Sequence, residues 1–428
     1  MPNDIIIIGG GLSGLTAGIA LQRKGRRVTI ATSGPSTLNT FSGSMELFGY
    51  DSEDHPITHP LEAIAHLPAT HPYSKIGAKR VAALAQEAQG ILREAGISLK
   101  GDATANHWRI TPMGVLKPVW LTLDDCLTSD DGCTLPSRQA LIVNIAGFLD
   151  FPIEFIRASL DQMGVQTTIC TLPIKTTQAR RSSQYETRAT TIARMMDNDE
   201  TLHNFAEAIN AACSNSSNPS EQMILLPAVF GLTNDSALQQ LRNLVSYPIY
   251  VIATLPPSLL GVRLQTQLRN HFTQLGGTIL HDAKVTAGTL RDNKIVSIAT
   301  GYSETMEAHS YIIATGSFQS HGLVADYRKV AEPIFGLDID ANIKELSSKA
   351  TGSFFEPQPF MTYGVHTDST FHPFKNGQPV SNLYAIGSLL SGHNTHHQSD
   401  GTGVSMLTAL AVAEEIDKNI ANNDTYSK

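Results

Sequence analysis

An apolar run ending in a glycine turn, a distant second run ending in Thr-Gly-Ser, and a last short run before a glycine-rich helix start together predict one fold class. It is α/β, a Rossmann-like FAD/NAD(P)-binding fold with an inserted α+β capping domain. The expected division assigns residues 1–100 and 305–428 to the cofactor-binding domain and 101–304 to the insertion. Composition agrees. At ~150 residues per domain, 428 residues make two to three domains. Charged residues are 16% of the chain against ~25% in average soluble proteins, so much surface is expected to be buried.

Several classes are excluded at this level. The net charge is −8, from 31 basic and 39 acidic residues, so no nucleic-acid footprint is expected. No apolar run reaches the ~18 residues of a membrane span, and the start MPNDIIIIGGG lacks a basic region and a cleavage site. Cys126, Cys133, Cys170 and Cys213 form no C-x-x-C pair, which argues against zinc, thioredoxin-type chemistry or an iron–sulfur cluster held by this chain; no metal is expected. The expectation is a reducing compartment, with no direct membrane span.

Element by element, Asp4 to Ile8 reads as a strand buried on both faces. It enters G-x-G-x-x-G at Gly9, Gly11 and Gly14, then a helix over LTAGIALQRKG with Arg23 and Lys24 in its last turn, where the dipole favours cations. Arg27 to Ala31 is a second strand. Strand, glycine turn, helix and strand form a phosphate site: the first glycine makes the turn, the second admits backbone N–H groups to a pyrophosphate, and the third packs helix on strand. Gly9, Gly11, Leu12, Ser13 and Gly14 are therefore cofactor candidates. The acid that holds a ribose hydroxyl belongs ~20 residues on. Yet no Asp or Glu occurs between Asp4 and Glu46, and Thr32 and Ser33 stand at the strand end instead. FMN is as open as FAD at this point.

The C-terminal third separates flavin from nicotinamide. Tyr311 to Ala314 ends in Thr315-Gly316, and Leu383 to Ile386 ends in Gly387. Asp400, Gly401, Thr402, Gly403 and Val404 then open an apolar helix, MLTALAVAEEI. A helix N-terminus aimed at a reduced flavin stabilises its negative charge, and the three-part layout is that of two-dinucleotide-fold flavoproteins. Ser42, Gly43 and Ser44 form a loop suited to the same ligand. Between these ends, 78–95 and 152–163 have helical spacing, and 284–300 reads as a hairpin turning at Asp292-Asn293. The polar stretch 165–222 reads as two strands and a helix capped by Asp197 and Glu200, then a loop SNSSNPS at 214–220. Met113, Trp108 and Trp120 read as core.

With these pieces placed, the chain resembles the bacterial flavoprotein subunit of anaerobic glycerol-3-phosphate dehydrogenase, within the wider fumarate-reductase-like flavoproteins. The resemblance rests on GGGLSGL (9–15), TFSGSMELFG (40–49), HPYSKIG (71–77), WRITPMGVLKPVWLT (108–122), IAGFLDF (145–151), LPPSLLGVRL (255–264), ATGSFQSHGL (314–323), EPIFGLDI (332–339), YGVHTD (363–368) and NLYAIGSLLSGHNTHHQSDGTGVS (382–405). It implies FMN as cofactor, with FAD as the alternative, and oxidation of sn-glycerol 3-phosphate to dihydroxyacetone phosphate with electrons passed to quinone. It also implies two partners, a larger FAD-bearing catalytic subunit and an iron–sulfur subunit anchored at the membrane. The location implied is cytoplasmic, peripheral to the inner membrane through those partners.

Such chemistry needs a base for the hydroxyl proton and cations for the phosphate. His393 is the leading base, with His71, His396 and His397 as alternatives. Arg263 is the leading phosphate ligand, with Lys117 and Arg109 behind it. Two other readings stay open: a flavin subunit that relays electrons without oxidising the alcohol, and a flavoenzyme of this fold acting on a dicarboxylate or an enone.

Overall fold

The computed structural model describes residues 3–34, 36–174, 187–213, 222–301, 304–341, 356 and 358–426. The N-terminal strand β1 (Asn3–Ile8) leads to helix α1 (Leu12–Arg23) and strand β2 (Val28–Ala31). After the insertion come helix α2 (Leu259–Gln274), β3 (Thr278–Leu280), β4 (Ala308–Ile313), β5 (Leu383–Ala385) and the long final helix α3 (Gly401–Tyr426). These five strands form one sheet in the order β3-β2-β1-β4-β5. Every neighbour is parallel, with Ile8 opposite both Ala31 and Ile313. This is the strand order of a mononucleotide-binding sheet. Ile5, Ile6 and Ile7 of β1 are wholly buried, as a central parallel strand covered on both faces requires.

Helix α1 begins at Leu12, three residues earlier than its apolar spacing suggests, because the end of the glycine turn is itself helical. Both α2 and α3 pack against it. A Cβ on Gly18 of α1 would lie 2.8 Å from Cε2 of Phe272, so the missing side chain lets α2 approach closely. This segment corrects part of the expected division. The sequence reading places residues 259–280 in the insertion, but they supply a helix and an edge strand to the first sheet.

The insertion holds a second sheet, with strands in the spatial order Gln166–Leu172, Gln139–Ile145, Gln222–Pro227 and Ile249–Ile252. All are parallel, so the largest sheet of the region expected to be α+β is of α/β type. Two small antiparallel sheets accompany it, one pairing Ser44–Met45 with Leu121–Leu123. The hairpin at 285–300 is as expected, with Asp292 and Asn293 at φ of 51° and 56°, the signature of a type I′ turn. In the polar stretch, one strand and two helices (Ala189–Met196 and Asp199–Cys213) are described. Residues 175–186 of that stretch and the 214–220 loop lie outside the described residues. The cap is Asn198, whose Oδ1 accepts from the Thr201 N–H at 3.0 Å, while Asp197 ends the preceding helix. Met113 is 41% exposed, at the tip of the 111–115 turn, whereas Trp120 is core.

Phe272→Ala empties the fully buried α1–α2 interface. It should cost about 3–5 kcal/mol, read as a lower urea midpoint. A cost near zero would detach 259–280 from the core of the first sheet.

Candidate active site

The carboxyl ends of the first-sheet strands open on a cavity of about 500 Å³. It is lined by Leu12 after β1, Ser317 and Phe318 after β4, Ser388 after β5, and Gly401, Thr402 and Ser405 of α3. The 37–46 segment, Lys117, Phe360, Tyr363, His393 and His396 complete the wall. Ligands of open parallel sheets bind at this edge.

Next to Leu12, the glycine turn after β1 has the form of a phosphate cradle. At Gly9, φ is +118° and a Cβ would collide with the Ala314 carbonyl, so only glycine fits. A Cβ on Gly14 would strike the Gly9 carbonyl. Gly11 differs, because a Cβ there would meet only Ser36 Cβ, at 3.8 Å. No side chain caps α1, so its first-turn N–H groups lack an acceptor. Thr315 Oγ1, on the neighbouring strand end, is buried without a hydrogen-bond partner. An open backbone face, uncapped donors and an orphaned hydroxyl fit the phosphate of a flavin nucleotide.

A second cluster is a buried carboxylate held between two histidines. Asp400 is wholly buried and directly precedes α3. Its carboxylate lies 3.1 Å from His71 Nε2 (through Oδ2) and 3.2 Å from His393 Nδ1 (through either oxygen). Burial alone would raise the Asp400 pKa; the charge and hydrogen bonding of His393, with the hydrogen bond from His71, outweigh it and hold the carboxyl well below the usual range. With Nδ1 engaged by a carboxylate, Nε2 is the ring nitrogen His393 has available for the cavity. His71 is buried behind Asp400 and does not line the cavity, so it is not placed as a base.

The third cluster is cationic. Buried Arg109 donates through Nε to Ser44 Oγ and through Nη2 to Ser42 Oγ at 2.6 Å. Its Nη2 lies 3.9 Å, and Lys117 Nζ 3.4 Å, from Glu46 Oε1. Thr402 Oγ1 accepts the Glu46 N–H at 2.6 Å and lies 3.1 Å from Glu46 Oε2. Burial would raise the Glu46 pKa, but the charges of Lys117 and Arg109 and the Thr402 hydroxyl lower it. Sequence reasoning missed Glu46, because nothing local marks it; its partners lie 63, 71 and 356 residues away in the chain.

The other expected site residues divide into lining groups and supports. Leu12, Ser42, Ser44, Gly401, Thr402 and His393 line the cavity. Gly43 packs on Cys126 and Leu260, Gly403 leaves room for Tyr73 and the Glu46 carbonyl, and Val404 is buried. Ser13 and Gly387 touch where α1 meets the turn after β5; Gly316 sits in the turn after β4. Thr32 is buried, and Ser33 is exposed beyond it. His396 lines the cavity, whereas His397 pairs with Asp54 at 2.9 Å. Arg263 is corrected: it does not line the cavity, and its Nη2 lies 3.4 Å from Asp125, which also binds Arg242. A buried guanidinium so paired is spent on joining α2 to the insertion.

Fold and site define a flavin-binding protein of the two-dinucleotide class, and a family model described as FAD binding domain matches residues 4–404. The anaerobic glycerol-3-phosphate dehydrogenase subunit designated B in Yersinia pestis is 37% identical over 425 residues, which cover 97% of this chain and 98% of the relative. The protein of that name from Pectobacterium atrosepticum is 35% identical over 420 residues, 97% of this chain and 99% of its own. That from Actinobacillus pleuropneumoniae is 34% identical over 427 residues, 96% and 98%. The chain belongs to this family of anaerobic glycerol-3-phosphate dehydrogenase subunits, as its motifs implied. Among the described residues no helix is long and apolar enough to cross a membrane.

Two outcomes follow from this geometry. Gly11→Val should purify folded, with a near-normal melting temperature but little flavin, whereas Gly14→Val should lose stability and flavin together. Full flavin in Gly11→Val would misplace the cofactor. Stability should also fall in acid. Burial, helped by the Lys100 charge, pushes buried His107 from 6.5 down to about 4, and burial lowers His71 in the same direction. A base depressed on folding binds more protons when unfolded, so its contribution is full above 6.5 and lost as pH falls toward about 4. His107→Gln should flatten the denaturation midpoint across that window; an unchanged slope would refute this.

Proposed function

We propose that this chain oxidises sn-glycerol 3-phosphate to dihydroxyacetone phosphate in its own cavity. The observation that carries the reading is His393, backed by a buried ionised carboxylate, in a cavity that also presents Lys117. The substrate hydroxyl donates its proton to His393 Nε2, and Asp400 stabilises the imidazolium that results. When bound, the flavin supplies the acceptor for the hydride leaving C2. Lys117 and His396 hold the phosphate, and Arg109 keeps the Ser42 and Ser44 oxygens occupied as acceptors, so that the Ser42 hydroxyl proton is free for the cavity.

The cofactor of this reading is FMN. The support is the end of β2, where Thr32 is buried, its N–H donates to the Leu280 carbonyl, and no strand-end acid is present to hold the ribose of an adenosine. Its cofactor contacts are the cradle of Gly9, Gly11 and Leu12, the 42–44 loop, Thr315, and the start of α3. The cofactor-binding domain would comprise 1–100, 259–280 and 305–428. In the same reading the partners are a larger FAD-bearing dehydrogenase subunit and an iron–sulfur subunit that anchors the assembly at the inner membrane and passes electrons to quinone.

Anaerobic addition of glycerol 3-phosphate to the isolated chain should bleach its flavin band. His393→Ala should slow that bleaching ~10²–10⁴-fold with flavin content unchanged, and Lys117→Ala should raise the half-saturating substrate concentration. The flavin released by denaturation should be FMN. A yellow chain that glycerol 3-phosphate does not bleach would make it an electron relay and move the base to a partner; released FAD would overturn the cofactor assignment.

A further inference from the structure

Behind the cavity wall, His71 is 0% exposed, and no substrate can reach it. Its Nδ1 accepts the Tyr73 backbone N–H at 3.1 Å, so its single proton sits on Nε2, which donates to Asp400 Oδ2 at 3.1 Å. We propose that His71 is a positioning residue, a permanently neutral Nε2–H donor that fixes the Asp400 carboxylate and through it the ring of His393. This rests on His393 being the base.

The geometry leaves His71 no second role. An imidazolium would turn a second N–H against the Tyr73 N–H, two donors facing each other across a fixed backbone contact. The titratable groups facing it are Asp400, His393, whose ring centroid is 6.0 Å away, and Tyr73, at 5.0 Å; Phe48 closes another side edge-on. Tyr73 is itself tied to the Leu47 carbonyl at 2.8 Å, and burial with the Asp400 charge pushes its phenol well above the ordinary value, so it is no proton source. Asp400 therefore keeps one donor that never titrates and one, His393 Nδ1–H, that orients the base. His71 draws off part of the carboxylate charge. Without it, the whole charge acts on His393.

The test separates positioning from packing. His71→Leu should move the acid limb of the pH–rate profile upward by about one unit, the size of one charge-assisted hydrogen bond, and lower kcat with KM for glycerol 3-phosphate unchanged. His71→Gln, whose amide accepts from Tyr73 and donates to Asp400, should restore the profile. A folded His71→Leu with an unmoved profile overturns the proposal. A second measurement needs neither variant nor substrate: nitrogen-15 NMR of histidine-labelled holoprotein between about pH 5 and 9. His71 should show the Nε2–H tautomer throughout, and His393 the Nδ1–H tautomer at high pH. A His71 that titrates, or that carries its proton on Nδ1, overturns the proposal even where the leucine variant does not fold. The stated tautomers with no reduction by glycerol 3-phosphate would instead defeat the substrate reading and support the His71 assignment.

Discussion

A carboxylate with no access to water must be paired, and Asp400 is such a group. Its position explains much of the site. Asp400 is the residue before α3, its carbonyl accepting the Val404 N–H at 2.8 Å. The side chain of such a residue ordinarily bonds back to the helix. Here it turns instead to His71 and His393, and the helix N-terminus adds its own favourable field to the negative charge. His71 brings Tyr73, and Tyr73 reaches Leu47, beside Glu46. Glu46 returns to α3 through Thr402 and the Gly403 N–H. Three segments far apart in sequence, 46–47, 71–73 and 393–404, thus close a ring around one ionised group.

That ring has a cationic counterpart from the other side. Arg109 and Lys117 stand opposite each other on an antiparallel pair in the insertion and converge on Glu46. Burial lowers the proton affinity of Arg109, but guanidinium starts so high that it stays charged. Counting Arg109, Lys117 and Glu46, the cluster carries one net positive charge, which suits an anionic ligand. It also explains Ser42 and Ser44. A hydroxyl whose oxygen already accepts from Arg must send its proton elsewhere, and for Ser42 that direction is the cavity it lines.

What was legible in the sequence was what depends on neighbours in the chain. Gly9 and Gly14 are read from spacing because backbone collisions dictate them, Gly14 within the turn against the Gly9 carbonyl and Gly9 against Ala314 on the neighbouring strand, whereas at Gly11 a Cβ would meet only Ser36 at 3.8 Å. The parallel pairing of 222–227 with 249–252 depends on connections through helices and is not written in either run. Strand β3 has three residues and joins a sheet whose other members begin at residue 3, so its membership is a tertiary fact. Arg263 misleads for a related reason. An arginine near a helix start suits a phosphate as well as an acid, and Asp125, 138 residues distant, decides the matter. Asn198 in place of Asp197 is a one-residue boundary shift, for which composition offers no discriminant.

The insertion is therefore more than a cover. Its chain returns through Ser258, whose N–H donates to the Asn39 carbonyl at 2.7 Å, and through Gly261, seated on the Leu38 backbone. Leu38 belongs to the cavity wall that runs on to Ser42 and Ser44. The same α2 carries Gln265, which donates to the Gly10 carbonyl in the phosphate turn at 3.3 Å. One helix thus touches the cradle and the wall while its Arg263 holds Asp125 of the insertion. The segment between β5 and α3 contributes His393 and Asp400, and the insertion contributes Arg109 and Lys117. Helix α2 therefore ties the insertion to the glycine turn and to the 38–39 wall of the cavity at once, and the cavity wall is held by the same element that holds the two units together.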